Sequence, residues 1–234
     1  MKDKLLPRKL FLTCVGVLIM GISVSASIYS GLGTDPCTCI NLGISGKIGV
    51  PYWLCECIFN AILLLFPLIF SRKLIGFGTV TSMFFVGIVA DMLRNTLYRA
   101  FLPARPVVWV HIVFMLAGAL FLGIGASFYM APSLGVSSYD STPLIVKEHL
   151  PFEFRWIRVT YDVTAVIIGW LLGSAVGVGT VLVAFGLGPM IHFSPEKFKS
   201  VFCRRIPFPP GKSLFNEENV SEKFRKRFLF CNIE

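Results

Sequence analysis

Long apolar runs separated by short polar segments make up most of the chain. Six of these runs come close to the roughly 20 mostly apolar residues that a helix needs to cross a hydrocarbon core. They lie at about 9–30, 52–70, 75–94, 107–130, 156–173 and 175–194. The last two are short and closely spaced, so a single bent hairpin is the alternative there. We predict an all-α membrane protein with about six transmembrane helices, in agreement with 55% hydrophobic and only 15% charged residues.

The hydrophobic pattern occurs twice along the chain. Glycines that match at a shift of 101 or 102 residues are Gly16 with Gly118, Gly21 with Gly123, Gly76 with Gly177 and Gly87 with Gly188. Such self-similarity indicates a duplicated unit. Each unit holds three crossings, an odd number, so the second copy enters the membrane upside down. We predict two inverted-topology three-helix repeats, a design common among secondary transporters, over 1–100 and 101–194, followed by a basic cytoplasmic tail over 195–234.

A polar break follows the first helix of each repeat. Gly31–Pro36 forms the first break and Pro132–Ser138 the second. A capping oxygen followed by proline is a typical helix start, so we expect a short helix over 36–45. Its counterpart is expected from Tyr139 or Asp140 to Glu148. At about 10 residues these helices are too short to span the membrane, and we predict that they are re-entrant or interfacial.

The breaks and the last helix of each repeat carry recurring motifs. They are Gly31-Leu32-Gly33-Thr34-Asp35-Pro36, Gly76-x-Gly78-Thr79, Gly87-x-x-x-Asp91, Gly177-x-Gly179-Thr180 and Gly188-Pro189-Met190-Ile191. Over about residues 10–194 the chain resembles the YczE/YitT-type family of bacterial integral membrane proteins. The resemblance implies the membrane architecture, and transport is suggested for some family members. The chain departs from the family pattern at Cys37-Thr38, where Trp-Asp is usual, and at His192, where Asp is common.

Lysine and arginine in the short connections orient the chain, because they collect on the cytoplasmic side. They precede the first crossing and follow the second, fourth and sixth, as Lys2, Lys4, Arg8 and Lys9, then Arg72 and Lys73, then Lys147 and Arg155, then the tail. Arg94, Arg99 and Arg105 oppose this assignment. We predict a multi-pass plasma-membrane protein with both termini in the cytoplasm.

The first apolar segment also has the form of a signal peptide, since a basic start precedes it and Ser25-Ala26-Ser27 ends it. Its partner in the repeat, at 107–130, is internal and cannot be cleaved. We therefore interpret the first segment as a retained helix.

The net charge of +9 is concentrated in the predicted cytoplasmic segments. Anionic lipids of the inner leaflet attract such segments, so the predicted partners are the bilayer and these lipids, and no nucleic acid is needed. In the tail, Val220, Phe224 and Phe228 lie at four-residue intervals among basic residues. This spacing predicts an amphipathic helix on the membrane surface, with a solvated tail as the alternative.

The two breaks are the main candidate for a binding site. The N-terminus of a half-helix has unpaired N–H groups and partial positive charge. Two such ends converging would bind a carboxylate, phosphate or halide near the midplane, and Asp35 and Asp140 would cap them or exchange protons with the solute. The alternative is that the breaks only end one helix and start another at the surface.

Polar residues inside the predicted spans extend this site, because they are costly in lipid and often functional. Glu56 and Asn60 share one helical face, as do Arg158 and Asp162 at the equivalent repeat positions. The alternative places Glu56 at one interface and an Arg158–Asp162 pair at the other. The predicted substrate-binding residues are Gly33, Thr34, Asp35, Glu56, Asn60, Gly135, Ser137, Asp140, Arg158 and Asp162.

A second group of residues is predicted to serve helix packing, because small residues allow close helix approach in lipid. These are Gly76, Gly78, Thr79, Gly177, Gly179 and Thr180. Asp91 and Arg94, one turn apart, are expected to form a local ion pair. His192 is either a proton carrier or a solvated boundary residue.

Motifs for metals and enzymes are missing from the sequence. Cys37-x-Cys39 and Cys55-x-Cys57 do not have the spacing of common zinc modules, and the second repeat lacks them. Gly211-Lys212-Ser213 lacks the first glycine of a phosphate-binding loop. We predict no metal, no cofactor and no enzymatic activity.

Taken as a whole, the sequence predicts a small secondary transporter or exporter that binds an unknown small solute between its two repeats. The alternative is a membrane scaffold or regulatory protein that acts on partners through its tail. A channel lined by the two half-helices is a third interpretation.

Overall fold

The computed structural model describes residues 6–98, 107–132 and 134–183, and within these ranges the chain forms helices and no strand. The α-helices are α1 (Leu6–Ser30), α2 (Pro36–Ile48), α3 (Tyr52–Phe70), α4 (Phe77–Met92), α5 (Val108–Met130), α6 (Ser138–His149) and α7 (Phe154–Leu171). A 3₁₀ turn at Arg72–Leu74 precedes α4, and a π-helical segment at Leu93–Tyr98 follows it. Residues 178–183 are also helical.

Four of these helical segments are long and apolar enough to cross a membrane. They are Leu6–Ser30, Tyr52–Phe70, Phe77–Thr96 and Val108–Met130, which confirms the first four predicted spans. Large apolar side chains such as Phe11, Ile69 and Trp109 point outward from them, as expected for helices that face lipid.

The fifth and sixth predicted spans differ from the first four. Helix α7 occupies the place of the fifth, but it has only 18 residues and is not among the four candidate spans, because Arg155, Arg158 and Asp162 interrupt its apolar character. Of the sixth predicted span, only the beginning falls within the described residues. His192 and the tail over 195–234 lie outside them.

The first short helix begins and ends at residues whose chemistry explains both boundaries. Asp35 is the N-cap of α2, its carboxylate accepts a hydrogen bond from the Thr38 amide at 3.1 Å, and Pro36 follows at the first helical position. The helix ends at Gly49, which adopts the left-handed conformation with φ 76°. The helix therefore runs three residues beyond the predicted end at 45, since Gly46 does not break it.

Small residues set the distance between the first helices of the two predicted repeats. Helices α1 and α5 pack together, and a Cβ atom added to Gly16 would lie 2.5 Å from the Tyr129 amide nitrogen. At Gly118 the added atom would lie 2.4 Å from Oγ of Ser27, and Ser23 Oγ donates a hydrogen bond to the Gly118 carbonyl at 2.6 Å. Close backbone contact therefore joins α1 and α5 at Gly16 and Gly118, which are equivalent positions in the predicted repeats.

Each polar break makes backbone hydrogen bonds to the opposite predicted repeat, in what we call the cross-repeat loop contacts. In one, the Gly179 amide donates to the Leu32 carbonyl at 3.0 Å, and the Thr34 amide to Thr180 Oγ1 at 3.2 Å. In the other, the Gly78 amide donates to the Leu134 carbonyl at 3.0 Å. The remaining bonds of the second contact are Val136 N–H to the Leu74 carbonyl at 3.0 Å and Thr79 Oγ1 to the Val136 carbonyl at 2.7 Å.

The short helices also pack on the opposite predicted repeat, since α2 contacts α7 and α6 contacts α3. At the first of these contacts, a Cβ atom added to Gly169 would lie 2.6 Å from Cys39 Sγ. Because each break and each short helix contacts the opposite predicted repeat, the N-terminal ends of α2 and α6 meet at one cavity.

Candidate functional site

A cavity of about 80 Å³ lies at the N-terminal ends of α2 and α6, with walls from α1, α3, α4, α5 and α7. It has room for several water molecules or a solute of a few non-hydrogen atoms. Its wall is apolar on the side of α1 and α5 and polar at the short helices, α3 and α7. Six predicted site residues line it, namely Asp35, Glu56, Asn60, Ser137, Asp140 and Arg158.

Glu56 is the centre of a buried hydrogen-bond network. Its side chain is only 7% exposed, and its carboxylate accepts bonds from the Tyr52 hydroxyl at 3.0 Å and from Asn60 Nδ2 at 2.9 Å. Asn41 of α2 donates a further, short hydrogen bond through Nδ2, and the Tyr52 hydroxyl also lies 3.3 Å from Thr38 Oγ1. Glu56 therefore points into the helical packing and does not extend to the surface.

Arg158 is held between two carboxylates. Its Nε donates to Asp162 at 2.9 Å, the interaction expected from their four-residue spacing, and its Nη1 donates to Asp140 of α6 at 2.6 Å. The Tyr139 hydroxyl donates to the other oxygen of Asp162 at 2.8 Å, and the guanidinium carbon lies 5.5 Å from the Tyr139 ring centre. These bonds join α6 to α7 and place Asp162 behind Arg158, away from the cavity wall.

The remaining predicted site residues form the cross-repeat loop contacts and do not line the cavity. Gly33 has φ +115°, and a Cβ atom there would lie 2.5 Å from Thr180 Oγ1. Gly135 has φ +121° and meets Gly76 in the same way, at 2.7 Å from the amide nitrogen. Thr34 is buried beside them. The residues predicted for helix packing therefore contact the breaks themselves.

The charges around the cavity do not match an anion site. The Thr38 amide at the start of α2 already donates to the chain's own Asp35 carboxylate. Burial raises the pKa of that carboxyl above its ordinary value, and the hydrogen bonds from Thr38 offset part of the rise. Three carboxyl groups and one guanidinium line the wall, and the guanidinium is paired. The lining is therefore acidic in character.

Asp91 does not line the cavity, and of the cysteines only Cys37 is among its described lining residues. Cys37 lines the cavity as a free thiol, and no group of three or more potential metal ligands occurs among residues 6–98, 107–132 and 134–183. Asp91 contacts Arg94 at 2.9 Å, as expected, and also accepts a bond from the Trp53 amide at 2.9 Å, which caps α3.

Sequence reasoning did not identify Asn41, Tyr52 or Tyr139. Tyr52 precedes Glu56 by one helical turn, so helical spacing contains a signal for that contact. Asn41 is polar within an apolar segment of a short helix, which is a second signal. Tyr139 stands directly beside Asp140, but its bond to Asp162 depends on how α6 and α7 pack, and no local pattern contains that information.

Comparison with other proteins places the chain among membrane proteins. It is 25% identical over 195 residues to the uncharacterized membrane protein YczE of Bacillus subtilis, covering 83% of this chain and 88% of that protein. It is 26% identical over 183 residues to the uncharacterized protein YyaS of the same organism, covering 76% and 88%. An uncharacterized protein of Haemophilus influenzae is 27% identical over 197 residues, covering 81% and 84%.

No solved structure matches the chain. The model of one protein family, described as "Family of unknown function (DUF6198)", matches residues 7–196 of the chain. This range includes every residue of the cavity and both cross-repeat loop contacts. The chain is therefore a membrane protein that belongs to the DUF6198 family.

Proposed function

We propose that the protein is a small secondary transporter whose solute binds in the cavity at the N-terminal ends of α2 and α6. The observation that supports this most is the composition of the cavity wall. Asp35 and Glu56 come from one predicted repeat, Asp140 and Arg158 from the other, and all four charged side chains meet at one cavity. Charged groups placed in this way within membrane helices usually mark a substrate or ion pathway.

The proposal includes six spans in two inverted repeats. Its support is the reciprocity of the contacts: each break bonds to the Gly-x-Gly-Thr segment of the other repeat, and each short helix packs on a long helix of the other repeat. In transporters of this design the site lies at the repeat interface, and rocking of one unit against the other exposes it to each side in turn.

The proposed setting is the plasma membrane, with several crossings and both termini in the cytoplasm. The lysines and arginines before α1 and between α3 and α4 support this orientation. The lipid bilayer is the immediate environment, and anionic inner-leaflet lipids are the proposed contact of the basic tail.

Transport is tested with purified protein in liposomes loaded with a broad panel of small amines, amino acids, organic acids and inorganic ions. We expect release of at least one solute, measured by mass spectrometry. The variant Asp140→Asn removes the negative charge that pairs with Arg158 at the cavity wall. Flux should fall about tenfold or more, which corresponds to a loss of about 1.4 kcal/mol in solute binding.

Glu148→Gln is the matched control, because Glu148 lies exposed near the other end of the same helix. Its flux should equal that of the parent protein. If folded protein releases nothing from the whole panel, the transporter proposal is wrong and a scaffold or regulatory role takes its place. Ion conductance far above transporter turnover would instead indicate a channel.

A further inference from the structure

We infer that the cavity binds a small organic cation of the protonated-amine class, held at Glu56. This inference rests on the proposed function, because it names the class of solute for the same cavity. Three observations carry it: Arg158 is paired with two carboxylates, Glu56 has no cationic partner among the described residues, and part of the cavity wall is apolar.

Arg158 is the one cationic side chain on the described wall of the cavity, and it is already neutralised. Asp140 and Asp162 each contact a different nitrogen of its guanidinium, at 2.6 and 2.9 Å. An anionic solute would have to displace Asp140 and approach Asp35 and Glu56 as well. Like charges at such short distances repel strongly in a low-dielectric environment, so the site disfavours an anion.

Glu56 is the opposite case, a buried carboxylate on the cavity wall without a cationic partner among the described residues. Its three donors, Tyr52, Asn41 and Asn60, are all neutral. A buried carboxylate is costly unless its charge is compensated. Oε2 accepts two of the bonds and Oε1 accepts one, which leaves a lone-pair direction of Oε1 for a further donor. A cation that carries N–H groups supplies both the charge and the bond.

The rest of the cavity wall suits the carbon part of such a solute. It is lined by Met20, Val24, Leu122, Ala126 and Met130 of α1 and α5. Mg²⁺ demands a full set of oxygen ligands in near-octahedral geometry, and no group of three or more potential metal ligands occurs among the described residues. A primary amine of a few non-hydrogen atoms places its ammonium group at Glu56 and Asp35 and its alkyl group against α1 and α5, within about 80 Å³.

The test is thermal unfolding of the full chain in detergent, with ethylammonium chloride, sodium acetate or sodium chloride at equal ionic strength. A ligand that binds the folded state raises Tm with its concentration. We expect a saturable rise in Tm with ethylammonium beyond that with sodium chloride. Glu56→Gln should lose this rise and Glu148→Gln should retain it. Asp35→Asn, which preserves a capping side chain, should raise the half-saturating ethylammonium concentration several-fold.

Ethylammonium failing to raise Tm, acetate raising it more, or an equal rise in the parent protein and Glu56→Gln would each overturn the inference. Asp35→Asn decides the question if Glu56→Gln does not fold, since an unchanged half-saturating concentration would also contradict it. Failure of the transport proposal has a different signature. Amine binding without flux refutes transport and keeps the cation site, whereas flux confined to anions keeps transport and refutes the cation site.

Discussion

Gly33 occupies a position where two independent constraints exclude other residues. Its φ of +115° lies in a region that side chains rarely adopt, and an added Cβ atom would lie 2.5 Å from Thr180 Oγ1. Gly31, two residues earlier, also has a positive φ of +62°, but an added Cβ atom there would meet nothing within 4 Å. A comparison of substitutions at Gly31 and Gly33 therefore separates the cost of backbone strain from the cost of steric overlap.

We expect Gly33→Ala to destabilise the protein by about 3 kcal/mol or more, because strain and overlap add. Gly31→Ala should cost about 1 kcal/mol from its left-handed backbone alone. For a chain of this length these values correspond to falls in Tm of about 6 °C or more and about 2–4 °C. Thermal unfolding in detergent measures both. Equal falls would show that the contact with Thr180 does not restrict Gly33.

Single residues were predictable from the sequence where a local rule applied. The pattern of Gly76, Gly78, Gly177 and Gly179 predicts close packing, and the structure places these four glycines in close contact with the two breaks. Glu56 was identified as unusual from its place in an apolar helix, but its surroundings were not. Asn41, which bonds to it, comes from another helix, and only the return of α2 onto α3 brings the two together.

Helix α2 depends at its start on one side chain, whereas α6 does not. Asp35 accepts a bond from the Thr38 amide, but Ser137, the N-cap of α6, makes no side-chain capping bond. We expect Asp35→Ala to cost about 1 kcal/mol and Asp35→Asn to cost little, because asparagine is an equally good cap. Ser137→Ala should leave stability nearly unchanged. Thermal unfolding of the three variants checks the order.

The comparison of Asp35→Asn with Asp35→Ala distinguishes capping by the side chain from an effect of its charge. If the carboxylate mattered through its charge, Asp35→Asn and Asp35→Ala would have similar effects on stability. A loss in Asp35→Ala alone identifies capping as the cause. An effect of Ser137→Ala as large as that of Asp35→Ala would contradict the assignment of the capping bond.

Helix boundaries could be predicted from the sequence only in part. The start of α2 was predicted from Asp35 and Pro36, and its end was not, because a glycine such as Gly46 ends a helix only where the backbone turns left-handed, as it does at Gly49. Helix α7 follows an apolar window, yet Arg158 and Asp162 are accommodated because they pair with each other and with α6. Hydropathy alone contains no information about such pairing.

The whole molecule allows a direct test of inverted topology. Gly46 and Glu148 lie 102 residues apart, at equivalent positions of the two predicted repeats, and both are exposed near the ends of the two short helices. An added Cβ atom at Gly46 would meet no neighbour. In a variant without the native cysteines, we expect Gly46→Cys to react with a membrane-impermeant thiol reagent from outside and Glu148→Cys from the cytoplasm.

Labelling of both positions from the same side would refute the inverted arrangement, whatever solute the protein handles. A cysteine at Lys2 serves as the cytoplasmic reference, since the basic start of the chain sets the predicted orientation. Labelling of intact and permeabilised cells gives the comparison.

The two cross-repeat loop contacts differ in when their partners are synthesised. Leu134 and Val136 emerge from the ribosome after their partners in 74–79, so the second break can close as soon as it is made. Leu32 and Thr34 must wait for Gly179 and Thr180, the latter 146 residues beyond Thr34. Bare backbone groups in hydrocarbon cost several kcal/mol. The nascent first half therefore needs water or the insertion machinery beside its break until the segment that contains Gly179 and Thr180 arrives.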